Sequence, residues 1–413
     1  MVHKENLCDI LHFGYPLREV DTQWEFVSRQ NHSVSLPQLK QCLLDVCSRR
    51  LGNDTDVVLP LSGGLDSRLV LACLLELLPP KRIHAFNYGT PGQLDFDIPP
   101  FIAKSVGIHF TQVSYDEITI APDDIRSVGY SIHSTPAHNL VGYMVTQKAS
   151  QLALRRLGVD NTLPVWSGFL GDRVFFGKWS GDSTDLKKAC DVFCSTYSMN
   201  RNPAIALPKG YNPAQRLQCL FSKTKKPEML TWLEFLDMTQ RQFRVRFTLQ
   251  TLDNPYCFLF EDSQVLQAIF SINTDERKNG KLQREYFHAH HPKLSAMPVT
   301  SRFGYPLRKL VLTEKLDRYK RLFFHRLDNI LGTRLETYKR KKVTVESLKR
   351  QIPGYREVLD QGINLTMSKL SDAGIELSDM KMNHILGQRS RCELMASLGY
   401  LCASVSAMSQ RRS

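Results

Sequence analysis

Apolar residues recur at Leu39, Cys42, Leu43, Val46 and Cys47, one face of a helix over Gln38–Leu51. A continuous apolar run, Asp56–Leu61, follows and reads as a buried strand. Ser67–Leu78 reads as a helix stopped by Pro79-Pro80, and Arg82–Tyr88 as a second strand before a turn rich in Gly and Pro. Ile98–Val106 reads as a helix, Phe110–Ser114 as a third strand, Gly142–Leu157 as a helix and Thr162–Trp166 as a further strand. Strands alternating with helices predict an α/β fold, a parallel sheet with helices on both faces. Beyond about residue 185 the strand signal fades. Met229–Ser271, Glu314–Leu331 and Leu365–Met408 read as mainly helical, which predicts a helical C-terminal region. The expected division is a lead-in with a helix (1–50), an α/β core (51–185), a mostly helical continuation (186–310) and a basic helical region (311–413).

The chemistry concentrates between the first strand and its helix, in Leu61-Ser62-Gly63-Gly64-Leu65-Asp66-Ser67. Glycines there let the backbone adopt positive φ and approach a ligand closely. Successive N–H groups and a helix N-terminus make an anion cradle, and Ser62 and Ser67 add hydroxyls. Asp66 would repel phosphate unless a cation lies between them, and Mg²⁺ binds through one or two carboxylates plus phosphate oxygens. The expected ligands are therefore a polyphosphate and Mg²⁺; the resemblance below makes the polyphosphate ATP. The loop lacks the Lys of G-x-x-x-x-G-K-S/T and the spacing of G-x-G-x-x-G, which excludes both of those nucleotide folds.

Ser-Gly-Gly-x-Asp-Ser resembles the pyrophosphatase loop of the ATP-pyrophosphatase superfamily, whose members cleave ATP between the α and β phosphates and adenylate an acceptor. A second stretch, Trp166 to Trp179, WSGFLGDRVFFGKW, is similar to the second signature of the asparagine synthetases within that class. Ser167, Gly168, Gly171, Asp172, Phe175 and Gly177 fit that pattern or sit near it. The resemblance implies that Gly168 lines the nucleotide site, and that Asp172 is a second magnesium ligand and a catalytic residue beside Asp66. It places Asn87 and Tyr88, ending the second strand, at the adenine or ribose. Leu259-Phe260-Glu261-Asp262 resembles a further family segment. The family also uses a Lys, shortly before an Arg-Glu pair, to neutralise charge on the α-phosphate. Lys281 precedes Arg284-Glu285 one residue closer than that spacing, and Lys278 is nearby. Phe169 and Arg173 stand where the family has Glu, which makes L-aspartate a poor candidate acceptor. Arg173 would face a carboxylate of a different substrate or pair with a surface acid.

Asparagine synthetases carry a glutaminase domain that works through a cysteine at residue 2. Here residue 2 is Val and only about 50 residues precede the loop, too few for such a domain. The implied activity is an ATP-dependent, carbon–nitrogen ligase that takes a small-molecule carboxylate and ammonia, free or from a separate glutaminase subunit. Stand-alone relatives of this shape in surface-polysaccharide pathways point to a uronic acid as acceptor. The alternatives are a lactam or macrolactam cyclase, a tRNA thiolation enzyme, which would want a cysteine pair that is not evident, and a nucleotide-binding regulatory subunit with a decayed acceptor site.

The remaining composition narrows the setting. The chain has 413 residues, 42% of them hydrophobic, enough for a large core. Its net charge is +13, and 313–350 carries 12 Lys/Arg against 5 Asp/Glu, including Lys339-Arg340-Lys341-Lys342. Such a run is a solvated helical face, or it attracts an acidic substrate, a nucleotide sugar or a membrane surface. It lacks an aromatic–glycine RNA-binding signature, so nucleic acid is not expected. No apolar stretch reaches the ~20 residues that span a bilayer, and no leader is read at the N-terminus. Ten cysteines without Cys-x-x-Cys spacing imply free thiols and a cytoplasmic protein. The hexapeptide FGYPLR occurs at Phe13–Arg18 and again at Phe303–Arg308, and in both places suits a turn.

Overall fold

The structure is a computed structural model. It describes residues 4–17, 34–53, 56–127, 140–175, 185–198, 210–228, 230–242, 250, 252–272, 274–308, 310–331, 343–372 and 392–400. Five strands, β1 (Val57–Pro60), β2 (Ile83–Gly89), β3 (His109–Ser114), β4 (Val165–Ser167) and β5 (Tyr256–Phe258), form one parallel sheet in the order β3-β2-β1-β4-β5. The α/β reading holds, with helices on both faces and helices dominating the C-terminal part.

Alternation along the strands explains the two layers. Val57 and Leu59 enter one core with Ile83, Ala85 and Trp166, whereas Val58 enters the other with Phe86 and Val165. The helix Asp66–Leu77, which links β1 to β2, packs in the first core. The helix Leu140–Leu157, which precedes β4, packs in the second. Chain leaving β1 and chain arriving at β4 thus lie on opposite faces, and a crevice opens between the C-terminal ends of these neighbouring strands. Open α/β sheets bind ligands at such a reversal.

One expectation changes. The helical reading of Met229–Ser271 is interrupted by β5, a three-residue edge strand whose register with β4 runs Val165–Tyr256 to Ser167–Phe258. Three residues are too few to show an alternating pattern against helical neighbours. The C-terminal region, in turn, covers the sheet. Val345, Leu348, Tyr355, Val358, Leu359, Leu394 and Leu398 are buried in the second core with Val58 and Phe86. The first helix, Lys4–Phe13, is likewise inside, with Ile10 and Leu11 in that core and Phe13 in the other.

Both copies of FGYPLR are turns, of different kinds. In the first, Gly14 (φ 89°) ends the helix Lys4–Phe13 and its N–H donates to Ile10 O at 2.7 Å, while Arg18 lies outside the described residues. In the second, Phe303 and Gly304 take left-handed φ and close a bridge between Val299 and Tyr305. That turn braces the loop after β1: the N–H of Thr300 donates to Gly63 O at 3.0 Å.

The main brace is Arg68, on the first turn of the helix Asp66–Leu77 and fully buried. Its guanidinium donates to the carbonyls of Leu294 (3.1 Å), Met297 (3.4 Å), Pro298 (2.5 Å) and Gly63 (3.4 Å). Among the described residues it forms no ion pair, and burial brings its pKa down to about 10. Replacing it by Met strands several buried carbonyls, at about 1–3 kcal/mol for each one left unpaired. Arg68→Met should therefore lower the urea midpoint clearly. An unchanged midpoint would show that Arg68 does not brace the loop.

Candidate functional site

The loop after β1 is tightly built. The Ser62 and Ser67 hydroxyls pair at 3.0 Å. Ser67 Oγ accepts the Ser62 N–H at 3.1 Å, and Ser62 Oγ accepts the Gly64 N–H at 3.2 Å. Two of the N–H groups expected to point at a ligand are thus spent inside the loop. Each hydroxyl has one proton, and the pair uses one, so one O–H remains to donate outward. The buried charge of Arg68, touching Gly63 O, lies against this loop backbone and adds positive potential without a Walker-type lysine.

The glycines serve close approach rather than positive φ. Gly63, Gly64, Gly168 and Gly171 are all absent from the left-handed region among the described residues. A Cβ on Gly63 would lie 2.3 Å from Thr300 Oγ1 and 2.9 Å from Leu94 O. On Gly168 it would lie 2.5 Å from Ser67 N and 2.7 Å from Asp66 C, and on Gly171 2.6 Å from Asp66 Oδ1. The loop after β4 is therefore pressed backbone-to-backbone onto the loop after β1. The left-handed residue is Leu170 (φ 71°), buried at the turn from β4 into the short helix Gly171–Val174. A non-glycine there carries local strain at the mouth of the crevice.

This contact brings Asp66 and Asp172 together. Asp66 is partly exposed as a residue, yet its carboxylate is hemmed in by Gly171 and Gln283. Desolvation first, and repulsion from Asp172 second, push its pKa up to about 7. Gln283 Nε2 donates to Asp66 Oδ1 at 2.8 Å and works in the opposite direction. The Asp172 side chain is 59% exposed. Arg173 sits beside Asp172 (Nε to Oδ2, 3.2 Å) and beside the buried Asp237 (Nη1 to Oδ2, 3.7 Å). Burial opposes the Arg173 charge, but Asp237 and then Asp172 outweigh it and hold its pKa above the ordinary value. Arg173 thus pairs within the protein, with the exposed Asp172 and also with the buried Asp237 rather than with a surface acid alone.

Asn87 faces the same loop: its Nδ2 donates to Leu61 O at 2.8 Å, while its Oδ1 is buried and has no hydrogen-bond partner among the described residues. That acceptor is available to a ligand N–H. Tyr88, one residue on, points to the opposite sheet face, where its hydroxyl bonds Thr146 and its ring neighbours Phe86 and Tyr115. The structure does not bring Tyr88 to the loop. Nor does it bring Lys281. The helix Lys281–His290 buries Leu282, Gln283, Tyr286 and Phe287. Lys281 precedes Gln283 by two residues, about 200° around the helix axis, and is half-exposed, 3.9 Å from Glu285. Lys278 donates to Asp275 at 2.7 Å. Gln283 and Asp237 were missed in the sequence. The available signal for Gln283 was a polar residue inside the apolar stripe of its helix.

Phe169 packs edge-on to Phe258 of β5, with centroids 5.7 Å apart, and forms an apolar wall beside Gly168. Gly177, at the end of the second signature, lies outside the described residues. All nine described cysteines are free thiols. Among the described residues no group of three or more His, Cys, Asp or Glu could hold a metal by itself. Two carboxylates, Asp66 and Asp172, nevertheless suit Mg²⁺, which completes its octahedron with water and phosphate oxygens. Their mutual repulsion, only partly offset at Asp66 by Gln283 and Arg173, is what such a cation would remove.

Residues 38–178 match the family model for asparagine synthase. This stretch is an asparagine synthase-like domain. It covers about a third of the chain and contains both loops, β1 to β4 and the pairing of Asp66 with Asp172. No curated protein matches the chain.

The raised pKa of Asp66 has a thermodynamic consequence. Below about pH 4 the carboxyl is neutral folded and unfolded, and its burial has no ionic cost. As pH rises from about 4 to about 7 the folded state keeps a proton that the unfolded state releases, so stability falls across that window. Asp66→Asn removes the penalty. Without ligand, the variant should unfold roughly 2 °C or more above the wild type at pH 8, with no such excess at pH 4. Equal melting curves at pH 8 would contradict the buried, repelled carboxylate.

Proposed function

We propose that this chain uses ATP to adenylate a carboxylate, releases pyrophosphate, and lets ammonia displace AMP to leave an amide. The observation that carries this reading is the convergence of Asp66 and Asp172, on two loops locked together at the point where the sheet order reverses. The asparagine synthase-like match across both loops supports it. Mg²⁺, held by the two aspartates, would supply charge neutralisation to the pyrophosphate leaving group.

The protein's own groups divide the work as follows. The Ser62–Ser67 hydroxyl pair and the loop backbone cradle the phosphates. Asn87 Oδ1 accepts a hydrogen bond from the nucleotide. Gln283 orients the Asp66 carboxylate through its 2.8 Å bond. With Lys281 turned away, the positive potential opposite the developing charge comes from Arg68 beneath the loop and Arg173 beside Asp172, fixed before the reaction begins. The acceptor we propose is a uronic acid. Arg173 is engaged by Asp237, and Phe169 presents an apolar ring beside Gly168, an arrangement that does not favour the small L-aspartate with its two carboxylates and ammonium. The same apolar wall admits NH₃ more readily than NH₄⁺.

The test supplies ATP, Mg²⁺ and a panel of uronic acids, nucleotide-linked uronates and amino acids, with ammonium alone, glutamine alone or neither. The expected result is AMP and pyrophosphate in step with amide, with ammonium only, and a rate that rises with pH as neutral ammonia increases. Asp172→Asn should lower that rate by about 10²-fold or more, and Gln283→Leu should lower it more than Lys281→Ala. ADP as the product, or glutamine-supported turnover by the pure chain, would refute the proposal. Turnover with neither nitrogen source, giving a product lighter by one water, would assign the chain to intramolecular lactam closure instead.

A further inference from the structure

The helix Leu312–Leu331 carries an apolar stripe that faces solvent. Leu312, Leu316, Tyr319 and Phe323 are 71, 61, 70 and 61% exposed, and Val311 leads into them at 57%. Their spacings of four, three and four residues align them on one face. A helix of this pattern in a soluble fold ordinarily turns that face to the core. This one is anchored the other way round. Arg308 grips Glu314 through both carboxylate oxygens, at 2.9 and 2.8 Å, and the Tyr305 hydroxyl bonds Asp317. The two acids of the first turns are therefore committed to the turn that braces the phosphate loop.

The charge pattern completes the picture. Lys315 and Lys320 are exposed and flank the stripe on its two sides, roughly 60° and 80° from Leu312 around the axis. The outward face of the described part thus has an apolar centre and cationic edges. A second copy docked on this stripe would set these lysines against their own counterparts. The sequence continues into Lys339-Arg340-Lys341-Lys342, outside the described residues. Among the described residues no helix is long and apolar enough to cross a membrane. Leu, Tyr and Phe at the centre of a Lys-edged stripe are what lies in the plane of a bilayer interface.

We propose that this face docks on an anionic lipid surface, with Leu312, Leu316, Tyr319 and Phe323 inserted at the acyl boundary and Lys315 and Lys320 at the headgroup phosphates. The inference is independent of the ligase reading, because none of these residues belongs to the nucleotide site. The experiment is sedimentation of the full chain with vesicles of phosphatidylcholine alone and of phosphatidylcholine with phosphatidylglycerol. Binding to the anionic vesicles is expected, with little to the neutral ones and a decline on raising salt. Each cation near the surface contributes roughly fivefold in partitioning. The double substitution Lys315→Glu with Lys320→Glu should therefore weaken binding at least about tenfold, as should Leu312→Ser with Leu316→Ser, with unaltered thermal unfolding in both. Absence of binding to anionic vesicles, or variants that bind like the wild type, would overturn the proposal. So would self-association through this stripe, measured by sedimentation velocity, in place of lipid binding.

Discussion

The site depends on one contact: the backbone of Gly168 lies on the peptide joining Asp66 to Ser67, with no space for a Cβ. Neighbouring parallel strands end about 4.8 Å apart, and loops that leave them normally splay to make room for side chains. Glycine at 168 and 171 lets the loops after β1 and β4 close instead. Everything else at the site follows from that closure. It walls in the Asp66 carboxylate, sets Asp172 beside it, and requires the left-handed turn at Leu170 that re-aims the chain into the helix Gly171–Val174. Arg68 and Thr300 hold the first loop from below and from the side, so the second has a fixed surface to meet.

The resulting electrostatics are balanced for a ligand rather than for the empty protein. Asp66 and Asp172 repel each other, while Arg173 is divided between Asp172 and the buried Asp237. A nucleotide with its cation would replace repulsion by coordination. Stability given up at Asp66 in the free protein is thereby returned on binding, as linkage requires of a group that interacts better with the ligand than with its surroundings.

Much of this was legible in the sequence. β1 to β3 and their helices show a strong pattern, and the Ser62–Ser67 loop has its strand before it and its helix after it. The limits are physical. β5 is too short for a period to show. The glycines were recognisable as necessary, but sequence cannot distinguish left-handed φ from missing room, and it is the second that applies. Adjacent residues of a strand face opposite ways, so Asn87 reaches the loop and Tyr88 does not. The same parity of position defeats Lys281, because its helix is seated by Leu282, Tyr286 and Phe287 and so turns Gln283 toward Asp66. Arg173 and Asp237 are 64 residues apart, and their pairing is a tertiary fact with no local signature.

The central claim is that the two loops form one metal–nucleotide site through Asp66 and Asp172. Calorimetric titration of ATP into the protein, with and without Mg²⁺, and into Asp66→Asn tests it most directly. The account predicts one ATP per chain, binding that depends on Mg²⁺, and an affinity at least about tenfold weaker in the variant. ATP binding that is the same in wild type and Asp66→Asn, or that ignores Mg²⁺, would contradict it.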